Sequence, residues 1–199
     1  MIQELKGKDE TRHVLIISMC SRLLSESEFV LPIKRAVMEM DTQVKTAVST
    51  MHYSEVSEDD LSSATHIILS GNPVQDNEFA KKNESLAWIA KTDKHLLGIC
   101  AGMQAIAVAF GGSVVSGCEI GMQQVTPKVP NLLFSREFDA YCVHGHAVPL
   151  SISKHGFEVL SESGGHAQSI KHNDKMIFGL MFHPEVRNQD IIWKFLQLE

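Results

Sequence analysis

Cys100 stands between two glycines in the run Gly98-Ile99-Cys100-Ala101-Gly102, where an apolar segment gives way to one with helical periodicity. A nucleophile elbow has this Gly-x-nucleophile-x-Gly form at a strand-to-helix junction. The turn is tight, and glycines on either side let neighbouring backbone pass where a Cβ would clash. A cysteine there meets the positive end of the helix dipole, which favours thiolate. The free N–H groups of the first helical turn, such as that of Ala101, can receive a developing oxyanion. The alternative is a small buried hydrophobe flanked by two packing glycines, since free cysteine is among the most buried residue types.

A thiolate nucleophile needs a proton acceptor, and the acceptor needs a group to orient it. The stretch "IFGLMFHPEV" supplies both types. An apolar run ends at Phe182, and Pro184 imposes extended or turn geometry on His183 before it. Glu185, two residues on, can reach back to one ring nitrogen. Alone, His-Pro-Glu is as compatible with a surface turn as with the base of a Cys-His-Glu triad.

These residues need a scaffold. The segment 11–19, "TRHVLIISM", reads as a buried strand, and Pro32 opens a helix carrying Ile33, Val37 and Met40 on one face. Further strands are expected at 42–48, 64–70 and 95–99, with helices over 77–91 and 101–110, the latter closed by Gly111. Strand alternating with helix predicts a parallel sheet covered on both faces. Beyond residue 111 the pattern changes to short strand candidates between glycine or polar turns, from "GSVVSG" to "KMIFGLMF", and a final helix, "QDIIWKFLQ". The reading is α/β: a mostly parallel central sheet flanked by helices, with a smaller antiparallel sheet in the second half, all in one domain over residues 1–199. "SEDD" at 57–60 reads as a helix start or a solvated face, and Trp88 and Trp193 as core or interface residues.

Composition narrows the partners. With 199 residues, 44% of them hydrophobic and 21% charged, and a formal net charge of −6, the chain has the balance of a globular protein. That balance points to neither nucleic acid nor an anionic membrane surface. No apolar run approaches the roughly 20 residues of a membrane span. The polar start, "MIQELKGKDETRH", is unlike a signal peptide, so a cytoplasmic setting is expected. Four scattered cysteines suggest neither a disulfide framework nor a zinc ribbon, and Cys20, Cys118 and Cys142 read as inert thiols. His144 and His146 share a face if "VHGHAV" is a strand. No carboxylate or cysteine ligand accompanies them at a suggestive spacing, so neither metal nor cofactor is expected.

With these motifs in place, the sequence resembles the class I, triad-type glutamine amidotransferases from about Val14 onward. The family's elbow reads like "LGICAGMQAIAVAFGG", its C-terminal motif like "GLMFHPEV", and its oxyanion turn, usually Ser-Gly-Gly-Pro, like Ser70-Gly71-Asn72-Pro73. The resemblance implies a flavodoxin-like fold and hydrolysis of L-glutamine to glutamate and ammonia through a cysteinyl thioester. Cys100 would be the nucleophile, His183 the base and Glu185 its orienting group. The N–H groups of Asn72 and Ala101 would form the oxyanion hole, and Gly71, Gln104, Gly145 and His146 would bind substrate. Three motifs depart from the family pattern. Asn72 replaces a glycine, a position where asparagine's tolerance of left-handed φ would help. Gly145 stands where serine is common, and Leu180-Met181 where Val-Gln is typical. The segment "SMCSRLLSESEF" also lacks the family's usual polar motif.

A glutaminase makes only ammonia, and this chain has no Gly-x-x-x-x-Gly-Lys-Ser/Thr loop and no pyrophosphatase loop. A separate synthetase subunit is therefore expected to use the ammonia. The stretch from His155 to Val186 is most similar to the glutaminase subunit of GMP synthase. The alternatives are the glutaminase component of anthranilate or aminodeoxychorismate synthase, a stand-alone γ-glutamyl hydrolase, and a non-catalytic subunit that kept the elbow.

Overall fold

The computed structural model describes residues 11–40, 44–81 and 83–199. Strand β1 (Arg12–Ser18) is followed by two short helices, α1 (Glu26–Phe29) and α2 (Leu31–Met38), with Pro32 in the first turn of the second. Strand β2 (Thr46–His52), helix α3 (Glu58–Ser63) and strand β3 (His66–Leu69) come next. Helix α3 begins in a capping box: the Ser57 hydroxyl accepts from the Asp60 N–H while Asp60 accepts from the Ser57 N–H. Two 3₁₀ turns and helix α4 (Trp88–Lys91) lead into β4 (His95–Ile99) and α5 (Ala101–Ala109). Five strands complete the sheet: β5 (Val115–Val125), β6 (Phe138–Pro149), β7 (Phe157–Ser163), β8 (His166–His172) and β9 (Ile177–Leu180). Helix α6 (Gln189–Leu196) follows them.

The nine strands form one sheet in the order β2-β1-β3-β4-β9-β8-β6-β5, with β7 paired to β8 off this path. The first five run parallel, in the flavodoxin-like order, and the rest join antiparallel. The antiparallel part expected from the sequence is thus continuous with the parallel part. One core lies between the sheet and helices α2 and α6, and holds Ile33, Val37, Ile192 and Phe195. The other lies under α4 and α5 and holds Ile89, Met103 and Ile106. In an open sheet of this kind ligands bind beyond the carboxyl ends of the parallel strands. Ser70, Cys100 and the Met181–His183 segment all lie there, after β3, β4 and β9.

Three expectations need correction. The second strand lies at Thr46–His52 rather than 42–48, and the first part of the expected span, residues 41–43, lies outside the described residues. The single helix expected over 77–91 is a chain of 3₁₀ turns ending in α4. "GSVVSG" and "EIGMQQVTP" belong to one strand, β5, whose pairing with β6 is irregular between Ser116 and Glu119.

Candidate active site

The elbow forms as its glycines require. Cys100 caps α5 with φ 49° and ψ −103°, and among the described residues it alone combines a side chain with positive φ. Such a conformation costs on the order of 1–3 kcal/mol and persists only where its surroundings over-determine it. Here the Cys100 N–H donates to the Leu180 carbonyl at 2.7 Å, and the Gly102 N–H donates to the Ser70 carbonyl at 3.2 Å. A Cβ on Gly98 would meet the Gly102 carbonyl carbon at 2.5 Å, and one on Gly102 would meet Leu69 atoms at 2.6 Å. Both glycines are therefore set by contact between strand and helix, as their spacing implies.

Strand β9 lies next to β4, with Gly98 opposite Gly179 and Ile99 opposite Leu180, so the segment leaving β9 emerges beside the elbow. The His183 N–H donates to the Tyr141 carbonyl at 2.8 Å, and the chain then turns at Pro184. His183 Nδ1 lies 2.8 Å from Glu185 Oε1, and both side chains are buried. Burial favours the neutral imidazole. The Glu185 carboxylate, then the Cys100 thiol on the other side of the ring and the hydrogen bond to Glu185, outweigh it and raise the His183 pKa well above its ordinary value. Nε2 has no complete hydrogen bond in this state. Such bonds commonly align only when substrate is present.

The turn after β3 braces this arrangement. Ser70 Oγ accepts from the Met19 N–H at 3.0 Å and donates to the Gly71 carbonyl at 2.8 Å. Gly71 lies against the histidine: an added Cβ would come 2.6 Å from His183 Cε1. Phe29 stacks on the same ring, tilted, at 5.7 Å between centroids. Asn72 does not use the left-handed conformation that the sequence suggested. Its side chain is buried and donates to the Asp76 carbonyl at 2.5 Å and the Met19 carbonyl at 3.4 Å, which fixes the turn by side-chain bonds instead. Ala101 opens α5, so its N–H belongs to the helix turn without internal partners.

Of the residues implied to bind substrate, Gln104, Gly145 and His146 line a narrow cleft with Cys100 and Asn72. Gln104 Nε2 donates to the His146 carbonyl at 3.2 Å. The same cleft is lined by Val74, Asn77, Val143 and His144, which the sequence reading did not single out for it. The Val143 carbonyl, 3.8 Å from Cys100 Sγ, is the contact that matters most. Its neighbour Gly145 leaves room for Val74, whose Cγ1 would lie 3.2 Å from an added Cβ. Leu180 and Met181 are buried and serve the core. Burial pushes the Cys20 and Cys142 thiols up to about 12, so both are poor nucleophiles. Cys118 is exposed. No helix among the described residues is long and apolar enough to cross a membrane.

A thiol at a helix N-terminus, beside a buried histidine whose other nitrogen faces a carboxylate, is equipped to attack an acyl carbon and pass a proton to its leaving group. Comparison with known proteins agrees with that chemistry. The family model for class I glutamine amidotransferases matches residues 24–195. A protein named as the glutamine-hydrolysing subunit of GMP synthase from Methanococcus maripaludis is 33% identical over 169 residues, covering 82% of this chain and 85% of its own length. Its namesake from Methanosarcina barkeri is 29% identical over 174 residues, covering 83% and 88%. A crystal structure described as that of a candidate GMP synthase subunit from Thermoplasma acidophilum superposes with a TM-score of 0.77 at 22% identity, over 94% of this chain and 93% of that one, and so shares the fold.

Proposed function

The chain belongs to the class I glutamine amidotransferases, and from that premise we propose that it is a glutaminase subunit which hydrolyses L-glutamine and passes the ammonia to a separate GMP synthase-type synthetase subunit. The observation that carries the reading is the placement of Cys100 on a strained elbow, beside a buried His183 held by Glu185 at 2.8 Å. His183 takes the thiol proton, and the sulfur attacks the side-chain amide carbon of glutamine. The oxyanion that forms is received by the N–H groups of Asn72 and Ala101. The tetrahedral adduct collapses as His183 protonates the amide nitrogen, which leaves as ammonia. The γ-glutamyl thioester is then attacked by water, with His183 again the base, and glutamate departs from a regenerated thiol. Glu185 keeps the imidazole oriented and stabilises its charged form throughout.

Gln104 and the 143–146 segment hold the amino-acid end of the substrate, and the reaction needs no cofactor. The cytoplasmic setting and the single-domain organisation belong to the same reading. The names of its relatives support the GMP synthase-type partner over the anthranilate, aminodeoxychorismate and stand-alone hydrolase alternatives.

The test is trapping with a diazo-ketone analogue of glutamine, followed by mass spectrometry. The expected result is a single adduct on Cys100, absent in Cys100→Ala and slowed in His183→Ala. Glutamate release should rise when the ATP-pyrophosphatase subunit of a GMP synthase is added, and not with a chorismate-using synthase. If Cys100 is unlabelled both alone and with the synthetase, the chain is a binding subunit.

A further inference from the structure

One cluster of reactive side chains lies outside the triad. Cys142 and His144, two apart on β6, share a face, and Glu119 on β5 is registered directly opposite His144. One donor atom from each, a sulfur, a nitrogen and an oxygen, lies within 4.8 Å of the other two. They are far apart in sequence, and only the pairing of β5 with β6 unites them.

The histidine is set as a metal-binding histidine is set. Its Nδ1 donates to the Gly117 carbonyl at 3.0 Å, which fixes the tautomer and leaves the Nε2 lone pair free. Nε2 is buried with no hydrogen-bond partner, on a side chain only 3% exposed. It points at Glu119 Oε2, 3.4 Å away. Two electron-pair donors thus face each other, an arrangement that calls for a cation between them. Glu119 is itself held, accepting from Ser163 Oγ at 2.6 Å and from the Gln168 amide. A carboxylate has lone pairs to spare beyond those two bonds. A cavity of about 130 Å³, lined by Glu119, His144, His166 and Gln168 among others, gives an ion a way in.

We propose that Glu119, Cys142 and His144 form a binding site for a divalent ion of the zinc class. Mixed nitrogen, sulfur and oxygen donors favour a borderline ion over magnesium or calcium. Around one tetrahedral zinc ion, donors at roughly 2.0–2.3 Å stand about 3.5 Å apart. The histidine–carboxylate pair is already at that spacing, and the widest separation closes by about 1 Å through side-chain rotation. A fourth position stays open to water or to Gln168. On binding, the sulfur–hydrogen bond of Cys142 is replaced by a sulfur–metal bond and the proton goes to solvent. His144 ligates through the Nε2 lone pair of its neutral imidazole and keeps its Nδ1 proton.

The triad could bind metal too, so the experiment uses full-length Cys100→Ala protein, freed of metal by chelation and titrated with cobalt(II) alone. The expected result is one cobalt retained per chain after desalting, with a thiolate-to-cobalt charge-transfer band in the near ultraviolet. Cys142→Ser in the same background should abolish the band and weaken binding at least tenfold, with His144→Gln weakening it similarly. Circular dichroism checks that each variant folds. Uptake by Cys100→Ala itself decides the matter independently of those variants. If it retains no cobalt, a proton alone satisfies His144 and the proposal falls. It falls equally if the band survives Cys142→Ser.

Discussion

Replacing Gly71 with alanine tests whether the turn after β3 sets the position of the base. Gly71 has no positive φ, so alanine meets no backbone strain and any effect is steric. Its Cβ would sit 2.6 Å from His183 Cε1, 3.1 Å from Phe29 Cδ1 and 3.3 Å from His183 Nδ1. Carbon atoms rest at about 3.5–4.0 Å, so the ring must move by about 1 Å. Phe29 on one side and the Glu185 bond on the other leave it no free direction. Overpacking of this kind costs about 1–3 kcal/mol of stability. A misplacement of about 1 Å in a catalytic group costs on the order of 100-fold in rate, or about 2.7 kcal/mol. The assay is the second-order rate of diazo-ketone labelling at Cys100, which needs no synthetase. Gly71→Ala should slow it about 100-fold, yet slow His183→Ala protein no further, because the two changes act through one ring. A labelling rate within threefold of wild type, in a folded protein, would refute the claim that Gly71 fixes the histidine.

Three other outcomes follow from the site and its surroundings. Cys100→Gly should be more stable than Cys100→Ala by about 1–2 kcal/mol in denaturant melts, because only glycine is at ease at φ 49°. Because the folded pKa of His183 is raised, chiefly by Glu185 against burial, its contribution to stability is full below the unfolded value of 6.5 and is lost as pH rises through the folded value. Glu185→Gln should flatten that alkaline loss and slow labelling at least tenfold, about 1.4 kcal/mol, read from urea melts across pH and from trapping. His66 shows the opposite sign. Burial, then the neighbouring His95 and Arg12, lower its pKa to about 4, so its stability is present above 6.5 and lost as pH falls from there toward 4. His66→Phe should remove an acid-side loss of about 1–2 kcal/mol, a figure already reduced for solvent screening.

The parts of the fold legible in the sequence are those where local pattern and burial coincide. The branched apolar runs of β1 and β3 are buried centre strands, and β4 and α5 carry the elbow between them. For β2 the signal is weak because the strand is a half-exposed edge. Its place is set by pairing with β1, Arg12 opposite Thr46 through Ser18 opposite His52, rather than by its own alternation. Over 77–91 the spacing of Phe79, Leu86 and Ile89 mimics a helix, yet a series of tight turns buries the same three side chains. At the site, Cys100, His183 and Glu185 are legible because each sits in a short motif with its own backbone logic. Val143 and Glu119 are not, since what they touch depends on the pairing of β5 and β6 and on how β6 runs past the elbow. The Asn72 substitution reads as a matter of φ from sequence alone, and only the structure shows a side chain anchored to Met19 and Asp76.

The place of β9 has a consequence for how the protein comes into being. It is the latest of the strands in the chain, yet it lies in the middle of the sheet, between β4 and β8. During synthesis β1 to β4 can pair among themselves while the far edge of β4 stays open. An open central edge is a template for pairing with another chain. The segment that closes this edge also carries His183 and Glu185. A ribosome-bound chain therefore displays Cys100 without its base, and the thiol gains its partner in the same step that removes the aggregation-prone edge. Competence for chemistry and protection from misassembly arrive together, late, with one strand.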